Sequence, residues 1–237
     1  MIQTATFCRH TLLNLAGMIG LAIAGIYMVG FDPAALVLAM AAFAITTAGF
    51  SYLWTHHYPH SRPGLCNRVT FLRLVLTFAL LAPLLAEPEP WRVLIVATMA
   101  LALDGIDGWL ARREGLVSDF GARFDMEVDS ALGLVLALNA WAAGVPGLVV
   151  LLLGLPRYLF VASAWVWPWM ARALPESRAR KAACAIQIGS LIVLLVPWVD
   201  GGLSLMVLTT AAAILLLSFG RDVLWLYRNR ALAMLPT

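Results

Sequence analysis

From Thr11 onward the chain consists of long apolar runs separated by short polar stretches, and within each run the apolar positions are continuous rather than alternating. Continuous runs of about 20 residues match the helix length that crosses a hydrocarbon core about 30 Å thick, whereas the strands of a membrane barrel would alternate. A helix also satisfies its own backbone polar groups in lipid. The pattern predicts eight spanning helices, at residues 11–30, 34–54, 68–86, 91–110, 120–143, 147–171, 182–198 and 203–226, with little extramembrane domain between them. The first run follows Arg9, is long for the apolar part of a signal peptide and lacks a small-residue cleavage site, so it reads as a helix of the fold.

Composition agrees and excludes a soluble domain: 62% of the 237 residues are hydrophobic and 12% charged, against about 25% charged in soluble proteins. Cys8, Cys66 and Cys184 form no CxxC pair and read as free thiols, without a disulfide framework or zinc site.

Charge sets an orientation. With eight spans and the N-terminus in the cytoplasm, Arg92 falls on the outer side, Arg157 falls in mid-span, and all the other basic residues lie at or near the inner side. The Trp residues form two belts, with Trp54, Trp109, Trp165, Trp167, Trp169 and Trp225 near inner ends and Trp91, Trp141 and Trp198 near outer ends. The formal net charge of +3 is therefore a matter of membrane topology, with membrane lipid and an anionic substrate as partners of the inner face. No basic tail or soluble binding module implies nucleic acid. The expected location is a bacterial inner membrane, with both termini cytoplasmic.

Most of the apolar runs carry no carboxylate, yet the stretch from Leu103 to Ser130 holds Asp104, Asp107, Asp119, Asp125, Glu127 and Asp129. A carboxylate at membrane depth is costly and should face a protein interior paired with a cation. Asp104 and Asp107 are three apart and Asp125 and Asp129 four apart, so each pair shares a helix face. The two helices are consecutive and joined by a short inner loop, so all four can meet at one depth near the cytoplasmic surface. Oxygen-only clusters suit hard cations such as Mg²⁺ or Mn²⁺, and Mg²⁺ usually shares its coordination with substrate phosphates. A structural ion pair of these acids with Arg112 or Arg123 is the competing explanation. A metal-ion transporter would also need intramembrane acids, but it leaves Gly108, Gly121, Ala111 and Arg112 unexplained.

Written out, the stretch runs Asp104, two residues, Asp107, Gly108, two residues, Ala111, Arg112, then eight residues, Gly121, three residues, Asp125, three residues, Asp129. This resembles, at every defined position, the DxxDGxxARx8GxxxDxxxD signature of the CDP-alcohol phosphotransferase (phosphatidyltransferase) family. The resemblance implies an all-α membrane protein with a six-helix catalytic core over residues 63–237. Residues 1–62 would be an added N-terminal pair of membrane helices and an inner loop.

The resemblance also implies roles. Asp104, Asp107 and Asp125 would ligate metal, two ions of Mg²⁺ or Mn²⁺, and Asp129 would join them and act as the general base on the acceptor hydroxyl. Gly108, Ala111 and Gly121 would let the cytidine diphosphate approach the helix backbones, Asn67 and Thr70 would add polar contacts, and Arg112 would grip phosphate. For Arg112 a snorkelling position stays open, as does N-capping for Asn67. Ser118 or Asp119 would cap the helix that carries Asp125.

Arg73 completes an Asn67, Thr70, Arg73 series at i, i+3 and i+6 and, with Arg157, Arg178, Arg180 and Lys181, is a candidate for holding acceptor or phosphate. A structural pair for Arg157 and ordinary inner-side placement for the others are the alternatives. His10, His56, His57 and His60 read as polar interfacial residues. The expected reaction is transfer of a phosphatidyl group from a CDP-linked lipid donor, CDP-diacylglycerol, to a small polar alcohol acceptor, with release of CMP. The alternative donor is CDP-choline or CDP-ethanolamine acting on diacylglycerol. Dimerisation is common in the family, so a homodimer is a further expectation.

Overall fold

A computed structural model describes residues 2–57, 64–145, 147–172, 174–175 and 177–230, with the side chains of 2–10, 55–57 and 178 left aside. Among the described residues nine α-helices follow in order: α1 (Ile2–Val29), α2 (Pro33–His57), α3 (Leu65–Ala79), α4 (Pro90–Glu114), α5 (Asp119–Ala142), α6 (Val149–Gly154), α7 (Pro156–Val166), α8 (Arg178–Leu194) and α9 (Gly201–Arg228). Two 3₁₀ turns, Ala82–Leu84 and Pro168–Ala171, interrupt them, and the described residues contain no strand. Among the described residues five segments are long and apolar enough to cross a membrane: Thr11–Val29, Pro33–Trp54, Leu65–Leu84, Pro90–Glu114 and Gly201–Arg228. The chain is an integral membrane protein of helices, as the apolar runs predict.

Two predicted spans are not single helices, and in 68–86 the helix α3 ends at Ala79 and the 3₁₀ turn Ala82–Leu84 follows. Residues 147–171 form α6 and α7, separated at Leu155, and then a 3₁₀ turn. Pro156 is the cause, since it has no N–H to give the preceding turn and its ring clashes with the carbonyl four residues earlier. Pro168 ends the pattern a second time. The break frees backbone carbonyls from the helix ladder, and the Gln187 side-chain amide of α8 donates to one of them, Leu153 O.

The chain divides into two compact units, residues 1–135 and 136–237. In the second unit α8 packs on α9, where Arg180 pairs with the buried Asp222 at 3.0 Å.

In the first unit α1 packs on α2 and α3, and α3 packs most extensively on α4. The approach of α1 depends on Gly17, where an added Cβ would lie 2.8 Å from Phe43 Cζ and 2.9 Å from Phe71 Cε1. Leu21, Met28, Phe43, Leu74, Leu80 and Val128 fill the interior.

Three local devices fix the helices that carry the acidic pairs. Gly115 takes φ +65°, a left-handed conformation that suits glycine, and the Leu116 N–H folds back to Ala111 O, which ends α4. Three residues later the Ser118 hydroxyl accepts from the Gly121 N–H and starts α5, so Ser118 rather than Asp119 is the cap.

The start of α3 is capped from a distance. Its N-cap residue is Gly64, with no side chain to offer, and the Glu114 carboxylate accepts from Leu65 N at 3.0 Å and Cys66 N at 3.3 Å. Asn67, a candidate cap in the sequence, lies within the first turn instead. A Cβ at Gly64 would overlap Leu116 and Glu114. Glu114→Ala should therefore cost about 1 kcal/mol, the usual worth of a helix cap, read as a lower unfolding temperature in detergent. Gly64→Ala should lower it too, through displacement of the same carboxylate.

Candidate active site

The site is built on α3, α4 and α5, all in the first unit for the residues concerned. Asp104 and Asp107 stand on the last turns of α4, and Asp125 and Asp129 on the second and third turns of α5. The link of residues 115–118 turns α5 back, so the two acidic faces meet.

They meet around Arg73. This side chain is fully buried, and its guanidinium makes four ion pairs. Nη1 donates to Asp107 Oδ2 at 2.7 Å and to Asp125 Oδ1 at 2.5 Å, while Nη2 lies 2.9 Å from Asp104 Oδ1 and donates to Asp129 Oδ1. The Thr70 hydroxyl, one turn earlier on α3, is 3.0 Å from Asp107 Oδ2 and 3.1 Å from Cys66 O, and its single proton serves one of them at a time. Asp107 is buried, with a side chain 4% exposed, whereas those of Asp104, Asp125 and Asp129 are 38%, 40% and 28% exposed. The cluster is thus closed at Asp107 and open along the other three acids.

One guanidinium against four carboxylates leaves three negative charges uncompensated when all four are ionised. Uncompensated charge of this kind is expensive away from bulk water. Two observations indicate what else the cluster accommodates. Asp104, Asp107 and Asp125 each present an oxygen within 4.8 Å of the others. Asp107 Oδ1 is buried with no hydrogen-bond partner, a costly arrangement unless a cation shares it. A donor set of carboxylate oxygens alone suits a hard divalent ion, so the residues present fit Mg²⁺ or Mn²⁺.

The other residues expected at the site are distributed as follows. Asn67 lies in the first turn of α3, on the helix that carries Thr70 and Arg73. Gly108, Ala111 and Arg112 continue α4 toward its C-terminus; Arg112 is exposed, and a Cβ at Gly108 would lie 3.5 Å from its Nη1. Gly121 stands one turn before Asp125 and is tied to Ser118. Arg157 is half-buried in the first turn of α7, in the second unit. Arg180 and Lys181 open α8 in that unit. Arg180 is engaged by Asp222 and by Pro175 O at 2.7 Å, and Lys181 is exposed. The side chain of Arg178 and those of His10, His56 and His57 lie outside the described residues, as does His60. Cys66 and Cys184 form no disulfide.

Sequence reasoning named Arg73 without its partners and missed Glu114. Arg73 is expected as a phosphate or acceptor ligand, and the structure makes it the hub of the acidic quartet. Its signal is visible in hindsight: it is a basic residue several positions inside an apolar run, deeper than snorkelling from the helix start requires. Glu114 carries no local signal, because its partners are 48 and 49 residues away.

Compared with known proteins, the chain matches the family model described as CDP-alcohol phosphatidyltransferase over residues 63–219. That range contains α3 to α8 and most of α9, including every residue of the quartet, and leaves α1 and α2 outside. No curated protein and no solved structure matches the chain.

Proposed function

The chain belongs to the CDP-alcohol phosphatidyltransferase family, and from that premise we propose that it transfers a phosphatidyl group from CDP-diacylglycerol to a small polar alcohol and releases CMP. The family's activity is a transfer between a CDP-linked donor and an alcohol, and its members depend on divalent metal in general. The observation that carries the reading for this chain is the convergence of Asp104, Asp107, Asp125 and Asp129 on one point, with a buried Asp107 oxygen left unpartnered.

In this reading Asp104, Asp107, Asp125 and Asp129 hold two divalent cations, Mg²⁺ or Mn²⁺. Bound there, such ions neutralise the diphosphate and orient the phosphorus under attack. The acceptor oxygen attacks the phosphorus that bears diacylglycerol, the bond from that phosphorus to the bridging oxygen breaks, and CMP carries away the electron pair. Asp129 takes the proton from the acceptor hydroxyl as the new bond forms. Among the four acids it suits this role because the oxygens grouped within 4.8 Å of one another belong to Asp104, Asp107 and Asp125, which leaves Asp129 beside that group.

Gly108, Ala111 and Gly121 leave room for the cytidine diphosphate beside α4 and α5. Arg112, Asn67 and Thr70 make polar contacts with it. Arg73 balances charge at the centre, and Arg157, Arg178, Arg180 and Lys181 are the candidates for binding the acceptor or its phosphate. We place the site near the cytoplasmic side, with the N-terminal pair of residues 1–62 as an addition to a catalytic core of 63–237.

Purified protein incubated with labelled CDP-diacylglycerol, Mg²⁺ and a panel of alcohols should release CMP and form a new phospholipid. Release only from CDP-choline or CDP-ethanolamine, with diacylglycerol as acceptor, would replace this donor by the alternative one. Ion flux without any nucleotide dependence would point to a transporter.

A further inference from the structure

The N-terminal helix pair lies outside the family match, yet one of its helices reaches the site. Near its inner end α2 presents Phe50 and Trp54, one turn apart, whose rings meet at 5.5 Å between centroids. Phe50 stacks on Phe124 of α5 at 3.9 Å with an interplanar angle of 28°, and lies 5.6 Å from Phe120. Trp54 meets Phe120 edge to face, at 5.6 Å and 89°. Trp54 and Phe124 are buried, at 9% and 8% exposure. The four rings form one continuous cluster between α2 and the first turns of α5.

Helix geometry links this cluster to the chemistry. Phe120, Phe124 and the buried Val128 recur every four residues and define one face of α5, while Gly121, Asp125 and Asp129 define the next face, about 100° around the axis. A rotation that keeps Phe124 on Phe50 therefore keeps Asp125 and Asp129 on Arg73. Arg73 holds α5 from one side by charge, and α2 holds it from the other by packing.

We infer that Phe50 and Trp54 are positioning residues of the site: by clamping Phe120 and Phe124 they set the rotation of α5 that presents Asp125 and Asp129 to the cation cluster. The inference rests on the metal-holding role proposed above for those acids. It assigns α2 a function in an element that the family match does not include.

The test is Mn²⁺ titration of the purified full-length protein in detergent, followed by electron paramagnetic resonance below the onset of unfolding. Phe50→Ala and Trp54→Ala should each weaken Mn²⁺ binding by on the order of tenfold, the usual effect of losing a group that orients a metal ligand. Met28→Ala serves as control, because Met28 is fully buried in the same helix pair, at the far end of α1 from residue 50 of α2. It should lower the unfolding temperature comparably while leaving Mn²⁺ binding as in the wild type. If an alanine variant does not fold, Phe50→Leu and Trp54→Phe, which keep most of the bulk, should still bind Mn²⁺ measurably more weakly than the wild type. Wild-type affinity in the Phe50 and Trp54 variants, or an equal loss in Met28→Ala, would overturn the inference. A wild-type protein that binds no Mn²⁺ would instead overturn the metal-holding reading on which it rests.

Discussion

Asp129→Asn is expected to lower kcat for CMP release by about 10²–10⁴-fold, the range that a positioned general base contributes, while the protein remains folded. The substitution keeps the size of the side chain and one oxygen that can still accept from Arg73, so the ring of contacts around the guanidinium survives. What it removes is the ability to take up the acceptor's proton. The KM for the CDP-linked donor should change less than kcat, because Asp104, Asp107 and Asp125 still hold the cation that meets its diphosphate. Steady-state kinetics of the variant in detergent or nanodiscs, with CMP as the product followed, separates the two parameters. Near-normal turnover in Asp129→Asn would remove Asp129 from the role of base and leave it as a metal ligand only.

The second large effect concerns the hub. Arg73→Gln should destabilise the protein by about 3 kcal/mol, the scale of breaking a buried ion pair and leaving the partner charge behind. The lower end of that scale applies because three of the four carboxylates are partly open and can recruit solvent. Asp107 is the exception, being buried and tied to both Thr70 and Arg73. Because the loss is one of positive charge among acids, adding Mg²⁺ or Mn²⁺ should restore part of the unfolding temperature of Arg73→Gln and raise that of the wild type less. Arg73→Lys, which keeps the charge but loses the fork that reaches four acids at once, should fall between the two. Equal stabilisation of wild type and Arg73→Gln by the cation would mean that the cation and the guanidinium do not act on the same acids.

The acidic quartet was legible in the sequence because helix periodicity alone decides which residues share a face. Asp104 and Asp107, and Asp125 and Asp129, needed only a short return link to converge, and Gly115 and Ser118 supply it. What surrounds the quartet was legible only in part, because charge and aromatic statistics describe average surroundings rather than particular partners. Counting Arg73 with the inner-side cations addresses topology alone and is silent about its four partners. Trp54, assigned to the interfacial belt, also packs against Phe50 and Phe120, partners that the belt pattern does not name. The division of residues 147–171 into α6 and α7 could have been read from Pro156, since proline in mid-span breaks a helix unless neighbours satisfy the freed carbonyls. The Gln187 amide does so at Leu153, from a distance in sequence that no local pattern reveals.

The central claim is that the carboxylates gathered on Arg73 hold the divalent cation on which transfer depends. Its most direct test is Mn²⁺ binding to the purified protein by electron paramagnetic resonance, comparing wild type with Asp107→Ala, since Asp107 contributes both the buried unpartnered oxygen and the link to α3. The account predicts saturable Mn²⁺ binding to the wild type, tightened by CDP-diacylglycerol, and loss of that binding together with CMP release in Asp107→Ala. Mn²⁺ binding of undiminished affinity in Asp107→Ala, or CMP release by the wild type that persists after every divalent ion has been chelated, would contradict it.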